Sequence, residues 1–166
     1  MFKDKFLLSI IIGTVTLLSL GIVLVSNSSS GAKLTESNSE VITGVSSHDW
    51  GTIDMNDGVV KKTFSLTNEG EGTLELANVK TSCACTYAII TVNGKKSPQF
   101  GMHSVSSWTG KVEPGEEAQV EVVFDPAFHG PQGVGAISRQ VTIETNDKSN
   151  PAIEFNLTAN VINAQN

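Results

Sequence analysis

An all-β domain, an antiparallel sandwich held behind a single N-terminal membrane helix, is what the sequence predicts. Three observations carry that prediction. Phe6 to Val25 is a run of 20 residues without a charge, long enough as a helix to span ~30 Å of hydrocarbon. From Val41 onward the apolar residues recur with period two rather than 3.6, the signature of strands with one buried face. Between the alternating runs stand clusters of turn formers: Asn68 to Gly72, Asn93-Gly94, Glu113 to Glu116, Asp125-Pro126, and Asn146-Asp147 through Asn150-Pro151. Short strands punctuated in this way bury two facing sheets and need no helix.

The N-terminal segment sets the topology. Lys3 and Lys5 precede the apolar run, and the far flank from Ser26 to Gly31 carries no charge, so residues 1–5 are expected in the cytoplasm and everything beyond residue 25 outside it. A cleaved secretory signal is the competing reading, with Ser30 to Ala32 as the place to cut. Such signals have shorter apolar cores of about 7–15 residues, which favours an uncleaved anchor over residues 6–25. Residues 26–40 are rich in Ser and Asn and poor in apolar side chains, and read as a flexible tether. Residues 41–166 form the extracytoplasmic domain, periplasmic or at the cell surface, of a single-pass membrane protein.

Within that domain the strands differ in clarity. Ile153, Phe155, Leu157, Ala159 and Val161 alternate with polar residues without interruption. Val120, Val122 and Phe124 repeat the pattern, as do Val141 and Ile143 before Thr145, Phe64 and Leu66 after Val60, and Leu74 with Leu76. Weaker strands are expected near residues 41–45, 87–92 and 107–112. Residues 33–166 hold 9 Lys/Arg against 16 Asp/Glu, with no basic run, so nucleic acid is excluded as a partner. Neither a phosphate-binding glycine loop nor a serine-nucleophile signature is present, and no carboxylate pair is placed for glycosidase chemistry. No small-molecule substrate is identified, and the domain is not expected to be an enzyme.

The order of motifs supports a resemblance. His48-Asp49-Trp50-Gly51-Thr52-Ile53, Thr67 to Gly70, Thr81-Ser82-Cys83-Ala84-Cys85-Thr86, Glu113 to Glu116 and Val123 to Pro126 resemble the bacterial domain-of-unknown-function family 1573. That family is an immunoglobulin-like sandwich related to the major sperm protein and ASPM/SPD-2/Hydin domains, and the resemblance covers about residues 47–162. It implies the immunoglobulin-like fold and is nearly silent about activity. Ala84 stands where the family writes glycine between its cysteines. A longer stretch, residues 93–110, carries Met102 and His103 outside the family pattern.

Cys83 and Cys85 are the chain's only cysteines. In an extended strand, residues i and i+2 share a face with Cα atoms ~6.5–7 Å apart, near or past the limit for a disulfide. Two thiolates on one face can instead bind one metal, because sulfurs in a tetrahedral zinc site lie ~3.8 Å apart. Chelation is therefore expected over bridging, with the remaining donors drawn from His103 and His129, both in glycine-flanked loops, and Met102 as a softer ligand. Soft donors favour copper(I), and zinc is the alternative. His48 is explained by strand geometry. Inert packing of two buried cysteines and thiol redox chemistry compete with the metal reading, the latter weakened by a CxC rather than CxxC spacing. Trp50 and Trp108 are expected in packing, and Arg139, the only arginine, in an ion pair with Asp125 or Asp147. The leading expectation is a metal-binding domain for trafficking or sensing; a structural or protein-interaction module at the cell surface, its partner unknown, is the alternative.

Overall fold

The computed structural model describes residues 9–16 and 31–164. The chain divides into two compact units, Met1–Ser30 and Gly31–Asn166. In the first, residues 9–16 are helical, and the Thr14 and Thr16 hydroxyls donate to carbonyls one turn back at Ile10 and Ile12. The rest of the apolar run 6–25, and residues 26–30 of the expected tether, lie outside the described residues. Among the described residues no helix is long and apolar enough to cross a membrane.

The second unit is a sandwich of ten strands: β1 (Val41–Thr43), β2 (Ser47–Asp54), β3 (Val60–Asn68), β4 (Leu74–Thr81), β5 (Thr86–Val92), β6 (Lys95–Lys96), β7 (Gly110–Val112), β8 (Glu117–Phe124), β9 (Gly135–Thr145) and β10 (Ala152–Ile162). One sheet has the order β1-β3-β8-β5-β6 and the other β2-β10-β9-β4-β7. In β10 exposed and buried residues alternate from end to end, because each apolar side chain faces the opposite sheet and each polar one faces water. The two sheets meet where Phe64 of β3 stacks on Phe155 of β10, ring centroids 4.4 Å apart. Leu66, Leu74, Leu76, Ile90, Val120, Ile143 and Leu157 fill the space around that pair with no exposure at all.

Three features depart from the sequence reading. First, β2 runs parallel to β10, so the sandwich is not wholly antiparallel. The register slips between Thr158 and Asn160 of β10, where β2 carries an extra residue; Gly51 at φ +68 takes the left-handed conformation this bulge needs. Second, residues 31–40 are bound to the sandwich. Asn78, itself at positive φ in a bulge of β4, exchanges hydrogen bonds with both backbone groups of Ala32. Asn146 donates to the Thr35 carbonyl, and the Asn38 carbonyl accepts from Glu71 and Gly72. Polar composition leaves this segment unable to build a core, yet its backbone is satisfied by one already built. Third, the cysteines do not lie in a strand but in the turn between β4 and β5.

Candidate cysteine centre

Strand β4 ends at Thr81 and β5 begins at Thr86; the four residues between them reverse the chain at one end of the sandwich. Thr86 N–H donates to the Cys83 carbonyl at 3.1 Å, closing a β-turn with Cys83 and Cys85 at its first and third positions. The Thr81 hydroxyl lies within reach of both the Cys83 and Thr86 carbonyls, at 3.0 and 2.9 Å. Neighbouring elements pin the turn from outside: Ser82 N–H donates to the Gln140 carbonyl, and Asp125 N–H to that of Cys85.

Turn geometry changes what the cysteines can do. It brings their Cα atoms to 5.3 Å, and they form a disulfide. The expectation of chelation over bridging assumed an extended strand, and the curl of the turn removes the separation on which it rested. The two sulfurs have unlike surroundings. Cys85 is 3% exposed in a small apolar cluster with Met55, Phe124 and Val161, while Cys83 is half-buried.

Two further side chains reach the sulfurs. His129 leaves β8 through a tightly wound loop in which Ala127 N–H donates to the Asp125 carboxylate and Gly130 N–H to the Ala127 carbonyl. This loop brings His129 Nε2 to 3.4 Å from Cys83 Sγ, with Phe128 edge-on to the imidazole. Arg139 enters from β9. Its Nε–H donates to Cys85 Sγ at 3.1 Å, and its guanidinium carbon lies 5.3 Å from the Phe124 ring centroid. Burial lowers its pKa from the ordinary arginine value, which still leaves it a cation at neutral pH.

Of the residues expected at a metal site, the structure brings Cys83, Cys85 and His129 together, with donor atoms within 4.8 Å of one another. His103 is not in that group. It and the exposed Met102 occupy the corners of a turn closed by Ser104 N–H on the Gly101 carbonyl. His48 lies on β2 with its ring edge-on to Trp50, and Trp50 stacks on Phe124 as a packing residue. Trp108 packs on Phe100 and over Gly110, where an added Cβ would come within 2.5 Å of the indole.

Arg139 forms no ion pair with Asp125 or Asp147, contrary to the sequence expectation. Asp147 is 3% exposed and holds Val41 N–H, Ser149 N–H and the Asn150 side chain, and the Asp125 carboxylate holds Ala127. Arg139 is in phase with Val141 and Ile143, both fully buried on β9. That phase, an arginine on the inward face of a strand, was the signal in the sequence that it serves an interior group.

Residues 42–98 match the model of a family described as a protein of unknown function, DUF1573; the stretch contains the Cys-x-Cys turn. No curated protein matches the chain. Among solved structures, a crystal structure of a protein of unknown function from Porphyromonas gingivalis W83 is similar with a TM-score of 0.57 at 19% identity, over 76% of this chain and 49% of that one. The chain thus spans about half the length of that relative, and the likeness is one of fold. The ASH/PapD-like domain 7 of human CEP192 is similar over 79% of this chain and 92% of that one, at 18% identity and a TM-score of 0.49.

Proposed function

We propose that this immunoglobulin-like domain is anchored outside the cytoplasm and, once its cysteines are reduced, binds one soft or borderline metal ion through Cys83, Cys85 and His129, in metal trafficking or sensing. The observation that carries the reading is the convergence of those three donors within 4.8 Å. Reduction exposes two thiolates beside an imidazole, a donor set in which sulfur predominates, and soft thiolates select copper(I). Zinc would take the same three donors and require a fourth, from water or from the turn bearing Met102 and His103. That turn is rooted close by, since a Cβ built on Gly101 would lie 3.9 Å from the Thr86 carbonyl oxygen, one residue beyond Cys85.

The disulfide itself supports an extracytoplasmic placement, because such bonds persist where the compartment is oxidising. The anchor rests on the sequence, where the uncharged run 6–25 follows Lys3 and Lys5. One surface favours the alternative of an interaction module. Lys95, Lys96 and Lys111 line a groove with Trp108, where β6 and β7 form the edges of the two sheets, and its charge would suit an acidic segment of a partner.

Anaerobic titration of the full chain with copper(I) or zinc tests the metal reading. The reduced protein is expected to bind about one ion per chain and the oxidised protein none, since a disulfide offers no thiolate. Cys83→Ser or Cys85→Ser should nearly abolish binding; His129→Ala should weaken it by a smaller factor, and Trp108→Phe should leave it unchanged. Binding should release protons and weaken as pH falls, because thiolates and neutral imidazole are the ligating forms. Equal binding by the oxidised and reduced proteins would remove the cysteines from the site.

A further inference from the structure

We propose that the Cys83–Cys85 disulfide is exchange-active: it accepts two electrons from a protein dithiol, with Cys83 the sulfur attacked and Cys85 the sulfur released as a thiolate against Arg139. This goes beyond metal binding and does not depend on it.

Three observations lead there. The sulfurs differ in access, Cys83 being half-buried beside the exposed His129 and Cys85 being 3% exposed. An incoming thiolate therefore meets Cys83 first. The second observation is the direction of Arg139. It is the only arginine in the chain, half-buried on the inward phase of β9, and the ion pairs among the described residues, Lys111–Glu75 and Lys148–Glu36, do not include it. Its Nε–H points instead at Cys85 Sγ, 3.1 Å away. A disulfide sulfur is a neutral, weak acceptor, whereas a thiolate is an anion that forms a charge-assisted hydrogen bond. The charge of Arg139 is thus balanced in the reduced state and not in the oxidised one. The Thr86 hydroxyl, 3.7 Å from the same sulfur, is a second donor available to that thiolate. Third, the bond closes a loop with a sequence separation of 2. So short a loop restricts the unfolded chain little, so the cross-link gains little of the entropic stabilisation that holds longer loops oxidised.

The exchange then balances as follows. A thiolate of the partner attacks Cys83 Sγ, the bond between Cys83 and Cys85 breaks, and its electron pair leaves on Cys85 Sγ, where Arg139 holds the anion. The domain is now joined to its partner through Cys83. The partner's second thiol gives its proton to His129, whose Nε2 stands 3.4 Å from Cys83 Sγ, and attacks the partner's own sulfur in the mixed disulfide. Cys83 departs with the electron pair and takes the proton from His129. The partner dithiol has become a disulfide, and Cys83 and Cys85 have become a dithiol with Cys85 ionised against Arg139.

The test uses the full chain with a metal chelator present throughout, so that failure of metal binding does not bear on the outcome. Protein is equilibrated anaerobically in glutathione buffers of stepped potential, and free thiols are alkylated and counted by mass. The pair is expected to titrate as one two-electron couple within the glutathione range. Arg139→Met should shift the equilibrium about tenfold toward the disulfide, equivalent to about 30 mV, and Arg139→Lys should recover part of the shift. Cys85→Ser should accumulate a glutathione adduct at Cys83, and Cys83→Ser should accumulate much less at Cys85. An unchanged equilibrium in an Arg139→Met protein that keeps the wild-type Tm would overturn the role of Arg139. Equal trapping by the two serine variants would overturn the assignment of Cys83 as the attacked sulfur, and that arm stands even if Arg139→Met fails to fold. A pair that stays oxidised across the whole range would overturn the proposal outright.

Discussion

Asn146 and Asp147 lie side by side with little exposure; Asn146 is held by Thr35 and Ser39 of the segment that precedes β1, and Asp147 by Val41, the first residue of β1. The Asn146 side chain accepts from Ser39 Oγ and Glu75 N–H and donates to the Thr35 and Thr73 carbonyls, so its amide is fully used. Asp147 is the charged counterpart. Desolvation raises its pKa, but hydrogen bonds from Val41 N–H, the Asn150 side chain and Ser149 N–H outweigh that, and the net shift is below the ordinary value of 3.8. A carboxylate with a depressed folded pKa contributes stability that is present above its unfolded pKa and lost as pH falls through the folded value. Asp147→Asn should therefore cost about 1–3 kcal/mol at neutral pH, and the gap from wild type should begin to narrow as pH falls below about 4, where the unfolded carboxylate protonates, and close as pH falls through the lower folded value. Chemical denaturation at pH 7 and pH 3 measures both; a gap that widens in acid would mean that the carboxylate is not the stabilising form.

At the scale of the elements, legibility followed the regularity of the alternation. Strand β10 was readable because Ile153, Phe155, Leu157, Ala159 and Val161 keep one phase along a strand with partners on both sides. Phe155 is fully buried and stacked on Phe64. Its replacement by Ala should cost about 3–5 kcal/mol, and a loss under about 1 kcal/mol in urea unfolding would place its ring outside the core. Strand β2 was less readable, since the bulge at Gly51 breaks the period and its parallel pairing with β10 leaves no hairpin signal. The cysteine turn was misread for a related reason. Cys83-Ala84-Cys85 has no Gly, Pro, Asn or Asp to announce a reversal, and the reversal is imposed by Thr81, Thr86 and the neighbouring strands. His129 was legible as a candidate from its glycine-flanked loop. His103 carried the same local signal but lies in another turn, and sequence has no means of deciding which loops meet. Residues 31–40 illustrate the converse, since composition describes a segment by itself and says nothing of the hydrogen bonds a finished sandwich offers it.

For the whole molecule, the proposed arrangement is a cytoplasmic N-terminus, an anchor over residues 6–25 and the sandwich outside. In intact cells, protease added to the medium, after outer-membrane permeabilisation where there is such a membrane, should degrade the domain, and the chain should remain in the membrane fraction at high salt with its N-terminal segment retained. A mature chain beginning near Gly31 would show instead that the segment is a cleaved signal. The chemistry proposed for this molecule depends on one end of the sandwich, where β4, β5, β8 and β9 bring two sulfurs, an imidazole and a guanidinium together.

The claim that Cys83, Cys85 and His129 act on a common ion is tested most directly by X-ray absorption at the metal edge of the reduced, zinc-loaded full chain. The account predicts a first shell of two sulfurs at about 2.3 Å and at least one nitrogen at about 2.0–2.1 Å, with an imidazole contribution lost in His129→Ala and both sulfurs still present. A shell containing only nitrogen and oxygen, or one unaltered by removing His129, would contradict it.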